Sequence, residues 1–342
     1  MTDPAKYAGL AINQPDVALI FEGGGMRNSY TAGMVVELLA RNLNFGRVYG
    51  ISAGSSHTVN YLVRDATRAR ASFVDLVKYP RFGGWGSFLR GTGYFNSPYL
   101  YEELIENAPA GDPMAFDWDT FAANPAEMHI EAMDWDTGET VAWTRTDVKD
   151  AHDLGLKVRA SSTMPLFMPP TTIDGHTYMD GGMGDSWGIL LNAARADGYE
   201  RFCIIRTQPR GYRKHAMSRG AQALFRAAFR KHPIVAERTI ARWQPYNELC
   251  DEIEQLEKTG AAWVFYPDTM DVTNKTTDYD ALVRSYETGL AQAQRDIASL
   301  LEWLGKPAYK ARAPRKGEYR QIARCSFGSR EDAILGVERT TF

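Results

Sequence analysis

The sequence predicts an α/β protein built on a parallel sheet. Three observations carry that expectation. Residues 17–21 (VALIF) form a short apolar run that is continuous rather than alternating, as in strands buried on both faces. That run and a second one at 48–51 each close in a glycine-rich turn, followed by residues with helical spacing. The first 65 residues therefore read strand, glycine turn, helix, strand, glycine turn, helix. Two strands joined by a helix within one sheet imply a right-handed parallel crossover.

In chain order, the first helix is expected over 29–43, where Met34, Val35, Leu38 and Leu39 share a face. The second follows Ser52 and runs through His57 to Arg64. Residues 66–126 are rich in Gly, Pro and aromatics (RFGGWGSFLRGTGYFNSPYL) and read as a loop-rich cap or insertion. Runs at 128–133 and 140–144 flank Asp136-Thr137-Gly138, a hairpin signal. A helix over 151–160 ends in SSTMPLFMPP, where prolines forbid its continuation. Ile173 and Tyr178-Met179 flank Asp174-Gly175, a second hairpin. Residues 202–206 read as another buried strand. Beyond it the pattern is mainly helical, with a strand expected over 263–266 and a Pro- and Arg-containing tail from Lys306. This suggests a domain over 15–208, including the 66–126 insertion, and a mainly helical region over 209–342.

Composition narrows the function classes. The chain has 342 residues, and a net charge of −3 gives no basic excess to attract nucleic acid. No apolar run approaches the roughly 18 residues of a membrane span. The start, MTDPAKYAGLAINQPD, has no apolar core of the kind a Sec signal needs. Cys203, Cys250 and Cys325 are spaced neither as a zinc knuckle nor as a disulfide framework, so a cytoplasmic location is the default. Charge is unevenly placed. Residues 101–140 hold eleven acidic and no basic side chains, whereas 206–243 hold ten basic and one acidic, Glu237. Two readings stay open: solvated faces, or a basic face toward anionic lipid headgroups.

Three short segments carry chemistry. Gly50-Ile51-Ser52-Ala53-Gly54 is G-x-S-x-G between a strand and a helix, a turn that pushes a serine hydroxyl out of the sheet. The following helix N-terminus favours a developing oxyanion. The bland alternative is a glycine turn whose serine caps a helix. Gly23-Gly24-Gly25-Met26-Arg27 follows the first strand. Asn28 stands where the dinucleotide fingerprint needs its last glycine, and the next strand ends in the serine turn rather than in an acidic residue. The N–H groups from Gly24 to Met26 are then candidates for an oxyanion hole, with Arg27 holding an anion, holding the loop or making a surface ion pair. Met179-Asp180-Gly181-Gly182 follows a hairpin strand. Asp180 is either a proton acceptor for a serine or a turn aspartate bonded to its own backbone.

Together and in this order, EGGGMR, GISAGS and ASSTMPLFMPPTTIDGHTYMDGG resemble the patatin-like phospholipases over roughly residues 17–190. The resemblance implies a doubly wound, mostly parallel α/β core in three layers and a Ser–Asp dyad that cleaves acyl esters of lipids. It makes Ser52 the nucleophile, Asp180 the base, and Gly23, Gly24, Gly25, Met26 and Arg27 the oxyanion loop. Gly50, Ile51, Ala53 and Gly54 complete the elbow, and Gly181 and Gly182 complete the base motif. Asn28 and Glu22 replace a glycine and an aspartate usual in the family. The expected substrate is a lipid or acyl ester, with no cofactor and no metal, and with peripheral contact at a membrane surface. Other readings are an esterase or thioesterase triad through His215 or His232, a phosphate or nucleotide site at Gly23–Gly25, and a non-catalytic interaction protein.

Overall fold

The computed structural model describes residues 9–305, so the tail from Lys306, including Cys325, lies outside the described residues. Eight strands form one sheet: β1 (Gln14–Phe21), β2 (Phe45–Ile51), β3 (Glu127–Asp134), β4 (Thr140–Thr144), β5 (Thr171–Ile173), β6 (His176–Asp180), β7 (Arg201–Ile205) and β8 (Ala262–Phe265). The order is β5-β6-β3-β2-β1-β7-β8, with β4 beside β3. The run β3-β2-β1-β7-β8 is parallel throughout, while β4, β5 and β6 pair antiparallel. The doubly wound, mostly parallel core is therefore present, with an antiparallel margin formed by the two expected hairpins.

The apolar run in β1 is continuous because both its faces are covered. Val17, Leu19 and Phe21 point into one core with Tyr30, Met34 and Tyr61. Ala18 and Ile20 point into the other with Leu190, Tyr246 and Ile253. Each fully buried side chain of this size contributes roughly 1.5–3 kcal/mol. The first core lies under helices α1 (Asn28–Ala40), α2 (Ala53–Leu62), α3 (Ala151–Ser162) and, further along the chain, the long Tyr279–Trp303 helix. α1 stops three residues short of the sequence expectation, because Asn42 adopts φ 51°.

Residues 209–305 contribute to the same layers. Helices α4 (Arg219–Ala228), α5 (Pro233–Ala241) and α6 (Trp243–Lys258) precede β8, and α7 (Tyr279–Trp303) follows it. α6 covers the second core, and α5 places Val235 among Met133, Met179 and Met183. α7 lies against α1 almost backbone to backbone. A methyl on Gly289 would fall 2.0 Å from the Tyr30 carbonyl oxygen, and one on Gly33 would fall 2.3 Å from the Leu290 nitrogen. Ser29 donates to Ser285 across that crossing at 2.9 Å. Residues 66–126 add no strand to the sheet, only short helical segments.

Candidate active site

The register of β3 brings the two distant motifs together. Ala132 pairs with Val141 of β4 on one edge and with Asp180 of β6 on the other. Glu131 pairs with Ala142 of β4 and, on the opposite edge, with Ile51 of β2. β6 therefore meets β2 end to end along a single edge of β3. Ser52, the residue after β2, faces the last residue of β6, and Ser52 Oγ donates to Asp180 Oδ2 at 2.6 Å.

The turn at Ser52 has the geometry the G-x-S-x-G pattern predicts. Ser52 adopts φ 54° and ψ −133°, a conformation that costs a non-glycine residue about 1–3 kcal/mol unless its surroundings hold it. They do: its N–H donates to Ser161 Oγ at 2.9 Å, and its carbonyl accepts from the Ser55 N–H at 2.9 Å. Gly54 is required by close approach, since a methyl there would fall 2.3 Å from the Phe21 carbonyl. Gly50 and Ala53 flank the turn, and Ile51 anchors it in the second core.

The segment after α3 braces both partners. Ser161 takes the Ser52 N–H, and the Thr163 carbonyl takes the Asp180 N–H at 2.8 Å. Asp180 Oδ1 accepts from the Gly182 N–H at 2.7 Å, so the carboxylate bonds its own turn and the Ser52 hydroxyl at once. Burial pushes the Asp180 carboxyl above its ordinary 3.8. Arg242, the Ser52 hydroxyl, the Gly182 N–H and Lys214 pull it back only in part. A carboxylate in this setting is a better proton acceptor than one in water.

The glycine loop lies beside this pair. A methyl on Gly23 would fall 3.0 Å from Ser52 Cβ. The expected donor set needs correction, however. The Gly23 N–H is bonded to the Gly188 carbonyl, the Met26 N–H to the Asn274 carbonyl and the Arg27 N–H to the Gly24 carbonyl. Among the described residues, the N–H groups near Ser52 that no hydrogen bond claims include those of Gly24, Gly25 and Ala53. Asn28 sits at φ −67° as the first residue of α1, and its amide donates to the Gly25 carbonyl at 3.1 Å. The position thus needs no glycine.

Glu22 anchors the loop from below. It is buried, with Oε2 accepting from Arg206 Nε at 2.9 Å and from the Thr207 N–H at 2.7 Å. Its Oε1 accepts from Tyr246 OH at 2.6 Å. Burial alone would raise this carboxyl, but these partners, Arg206 foremost, hold it below 4.5.

The histidines fall elsewhere. His57 is buried between Phe21 and Phe73, and burial pushes it down to about 3, so it is a neutral core residue. His215 is exposed. His232 caps α5, stacks on Trp135 and bonds Asp136 at 2.7 Å. No histidine lines either cavity that reaches Ser52. Among the described residues, no group of three or more His, Cys, Asp or Glu is placed to hold a metal ion.

Those two cavities differ in character. One is a mainly apolar cavity of about 80 Å³ that runs from Ser52 past Val59, Phe73, Leu76, Leu100 and Ile105. Most of its apolar wall comes from the 66–126 insertion. The other is an open cleft of mixed lining, in which Arg27, Asp180, Lys214, Arg242, Tyr246 and Asn274 face apolar residues such as Phe167 and Phe225. Sequence reasoning missed Ser161, Lys214, Arg242 and Asn274 as site residues. The basic run over 206–243 was the available signal for two of them.

A buried serine on a strand–turn–helix elbow, facing an aspartate on a three-layer α/β core, defines a class of fold and site. The chain belongs to the patatin-like phospholipase family, whose model matches residues 19–191, a family of lipid acyl hydrolases. A second model, for a domain of unknown function (DUF6363), matches residues 232–305. The uncharacterized protein YjjU of Escherichia coli (strain K12) is 26% identical over 204 residues, covering 56% of this chain. The chain spans about half (52%) of the length of that curated relative. Among solved structures, VipD from Legionella pneumophila is similar at TM-score 0.47 and 14% identity, over 83% of this chain and 67% of that one. Among the described residues, no helix is long and apolar enough to cross a membrane.

Proposed function

We propose that the protein is a serine acyl hydrolase that cleaves carboxylic esters of lipids through a Ser52–Asp180 dyad. The observation that carries this reading is the 2.6 Å hydrogen bond from Ser52 Oγ to Asp180 beside an apolar cavity. In this mechanism Ser52 Oγ attacks the acyl carbon while its proton passes to Asp180. The N–H groups of Gly24, Gly25 and Ala53 stabilise the oxyanion. Asp180 returns the proton to the leaving alkoxide, and water then attacks the acyl-serine, its proton going to Asp180 and on to Ser52 Oγ. The acyl chain occupies the apolar cavity.

The direct test is covalent labelling. A fluorophosphonate should modify wild type at Ser52 and leave Ser52→Ala unlabelled. His215→Ala and His232→Ala should keep most of their activity on a soluble p-nitrophenyl ester. A dead histidine variant would replace the dyad by a triad.

Protonated Asp180 cannot accept the serine proton, so activity falls as pH falls through its folded pKa. The kcat/KM profile should show an acid limb with its midpoint above the 3.8 of an ordinary aspartate. A limb at or below that value would contradict the role given to burial.

Contact with a lipid surface belongs to the same proposal. Trp85, Leu89 and Leu224 are 69%, 84% and 63% exposed. Trp85 reaches the cleft through Tyr94 and Phe167, and Leu224 adjoins the cleft residue Phe225. The apolar side chains of α4 are divided, with Phe225 and Phe229 half-buried and Leu224 outward. Its arginines are not all free, since Arg226 pairs with Glu237 at 2.8 Å. Wild type should sediment with anionic vesicles at low salt, and a Trp85→Ser/Leu224→Ser variant should stay in the supernatant. Wild type that fails to sediment would remove the membrane part of the reading.

A further inference from the structure

Three cations line the open cleft, and none of them makes a direct ion pair there among the described residues. The Arg27 side chain has no hydrogen-bond or ion-pair partner among the described residues, and its Nε is buried without one. Lys214 Nζ has no hydrogen bond and lies 3.3 Å from the centre of the Tyr246 ring. The backbone of Lys214 is clamped by Asn247, which accepts its N–H at 2.7 Å and donates to its carbonyl at 2.9 Å. Arg242 has a single such contact, the Trp187 carbonyl at 3.3 Å. Its guanidinium lies against the aspartate turn, 2.5 Å from where a methyl on Gly182 would sit.

The acids in the cleft wall do not balance this charge. They are Glu22, whose charge Arg206 already neutralises, and Asp180. Burial and the neighbouring Arg242 and Arg27 push the Lys214 ammonium well down, against an opposing pull from Glu22. A wall built this way gains stability when a polyatomic anion arrives.

Ser52 lines both the cleft and the apolar cavity. We propose that Arg27, Lys214 and Arg242 form a subsite for a phosphate carried on the alcohol side of a single-chain acyl ester. Two planar guanidinium forks and one ammonium match the oxygens of a phosphate. One apolar cavity reaches the serine, and the proposal assigns it one acyl chain. The proposal rests on the acyl hydrolase reading, and it gives the DUF6363 region a task. Arg242, Tyr246, Asn247 and Asn274 all fall within residues 232–305 and build or brace the far wall of the cleft.

The test is binding to full-length Ser52→Ala protein by calorimetry, below the micelle concentration of each ligand. Lauroyl lysophosphatidate should bind about tenfold or more tightly than monolauroylglycerol, which has the same chain without the phosphate. That preference should fall at least fivefold in Ser52→Ala/Lys214→Gln and return in Ser52→Ala/Lys214→Arg. Arg242 is kept intact because it lies against the Asp180 turn. Equal affinity for the two lipids, or a preference untouched by Lys214→Gln, overturns the subsite. Inorganic phosphate binding as tightly as lysophosphatidate assigns the site to the free ion and overturns the headgroup assignment. Turnover by wild type separates the two levels of the argument. A binding preference with no cleavage of either ester sinks the hydrolase and leaves the subsite standing. Cleavage of both with no preference does the reverse.

Discussion

Ser52→Ala is expected to lower p-nitrophenyl ester hydrolysis on the order of 10⁴-fold or more, to the background of the assay. The variant removes only Oγ. Alanine keeps the Cβ that the φ 54° turn already tolerates, so melting temperature and circular dichroism should match wild type. Asp180→Asn should lose roughly 10²–10⁴-fold, because an amide of the same shape cannot take the proton. The two losses should not add in the double variant, since each side chain acts through the other at 2.6 Å. Ser52→Ala retaining a tenth of wild-type activity would place the chemistry elsewhere.

The second large effect concerns stability. Arg206→Met should destabilise the protein by about 3–5 kcal/mol, measured by denaturant unfolding, because it strands the Glu22 carboxylate in the core. Tyr246 and the Thr207 N–H remain as its hydrogen-bond partners, but the guanidinium paired with it is gone. Glu22→Gln in the same chain should recover much of the loss by removing the stranded charge. The pH dependence has a definite sign. In wild type the Glu22 pKa lies below 4.5, so its contribution is present above that value and is lost as pH falls through the folded pKa. In Arg206→Met, burial without a counter-charge raises the same carboxyl, so the folded variant binds the proton more tightly than the unfolded chain. The gap between wild type and variant should therefore shrink as pH falls from about 7 toward 4. A gap independent of pH would mean that Glu22 is not the group left stranded. Because Glu22 also holds Thr207, and Thr207 holds the Gly23 carbonyl, activity should fall along with stability.

Much of this architecture was legible in residue order. The continuous run in β1 announced a strand covered on both faces, and the two Asp-Gly signals at 136–138 and 174–175 announced the hairpins. The serine turn was legible because its glycines answer a local demand, the approach of the Gly54 carbonyl within 2.3 Å of a would-be methyl at Gly50. The cap over 66–126 was recognisable as an insertion, yet its role as the wall of the apolar cavity was not, since its short helical turns carry no periodicity.

What only the tertiary structure decided are relations between segments far apart in the chain. Ser52 and Asp180 are 128 residues apart, and they meet because β2 and β6 share one edge of β3. No local pattern encodes that register. The oxyanion candidates changed for the same reason: the Met26 N–H looks free in sequence, but a carbonyl from Asn274 claims it. His57 sits five residues from Ser52, yet the helix turns it into a core that keeps it neutral. Composition and periodicity thus determined the strands, turns and helices, because those follow from contacts within a few residues. Which of their polar groups remain free to act depended on partners more than a hundred residues away, because a buried donor or acceptor is satisfied by whatever the packed sheet brings beside it.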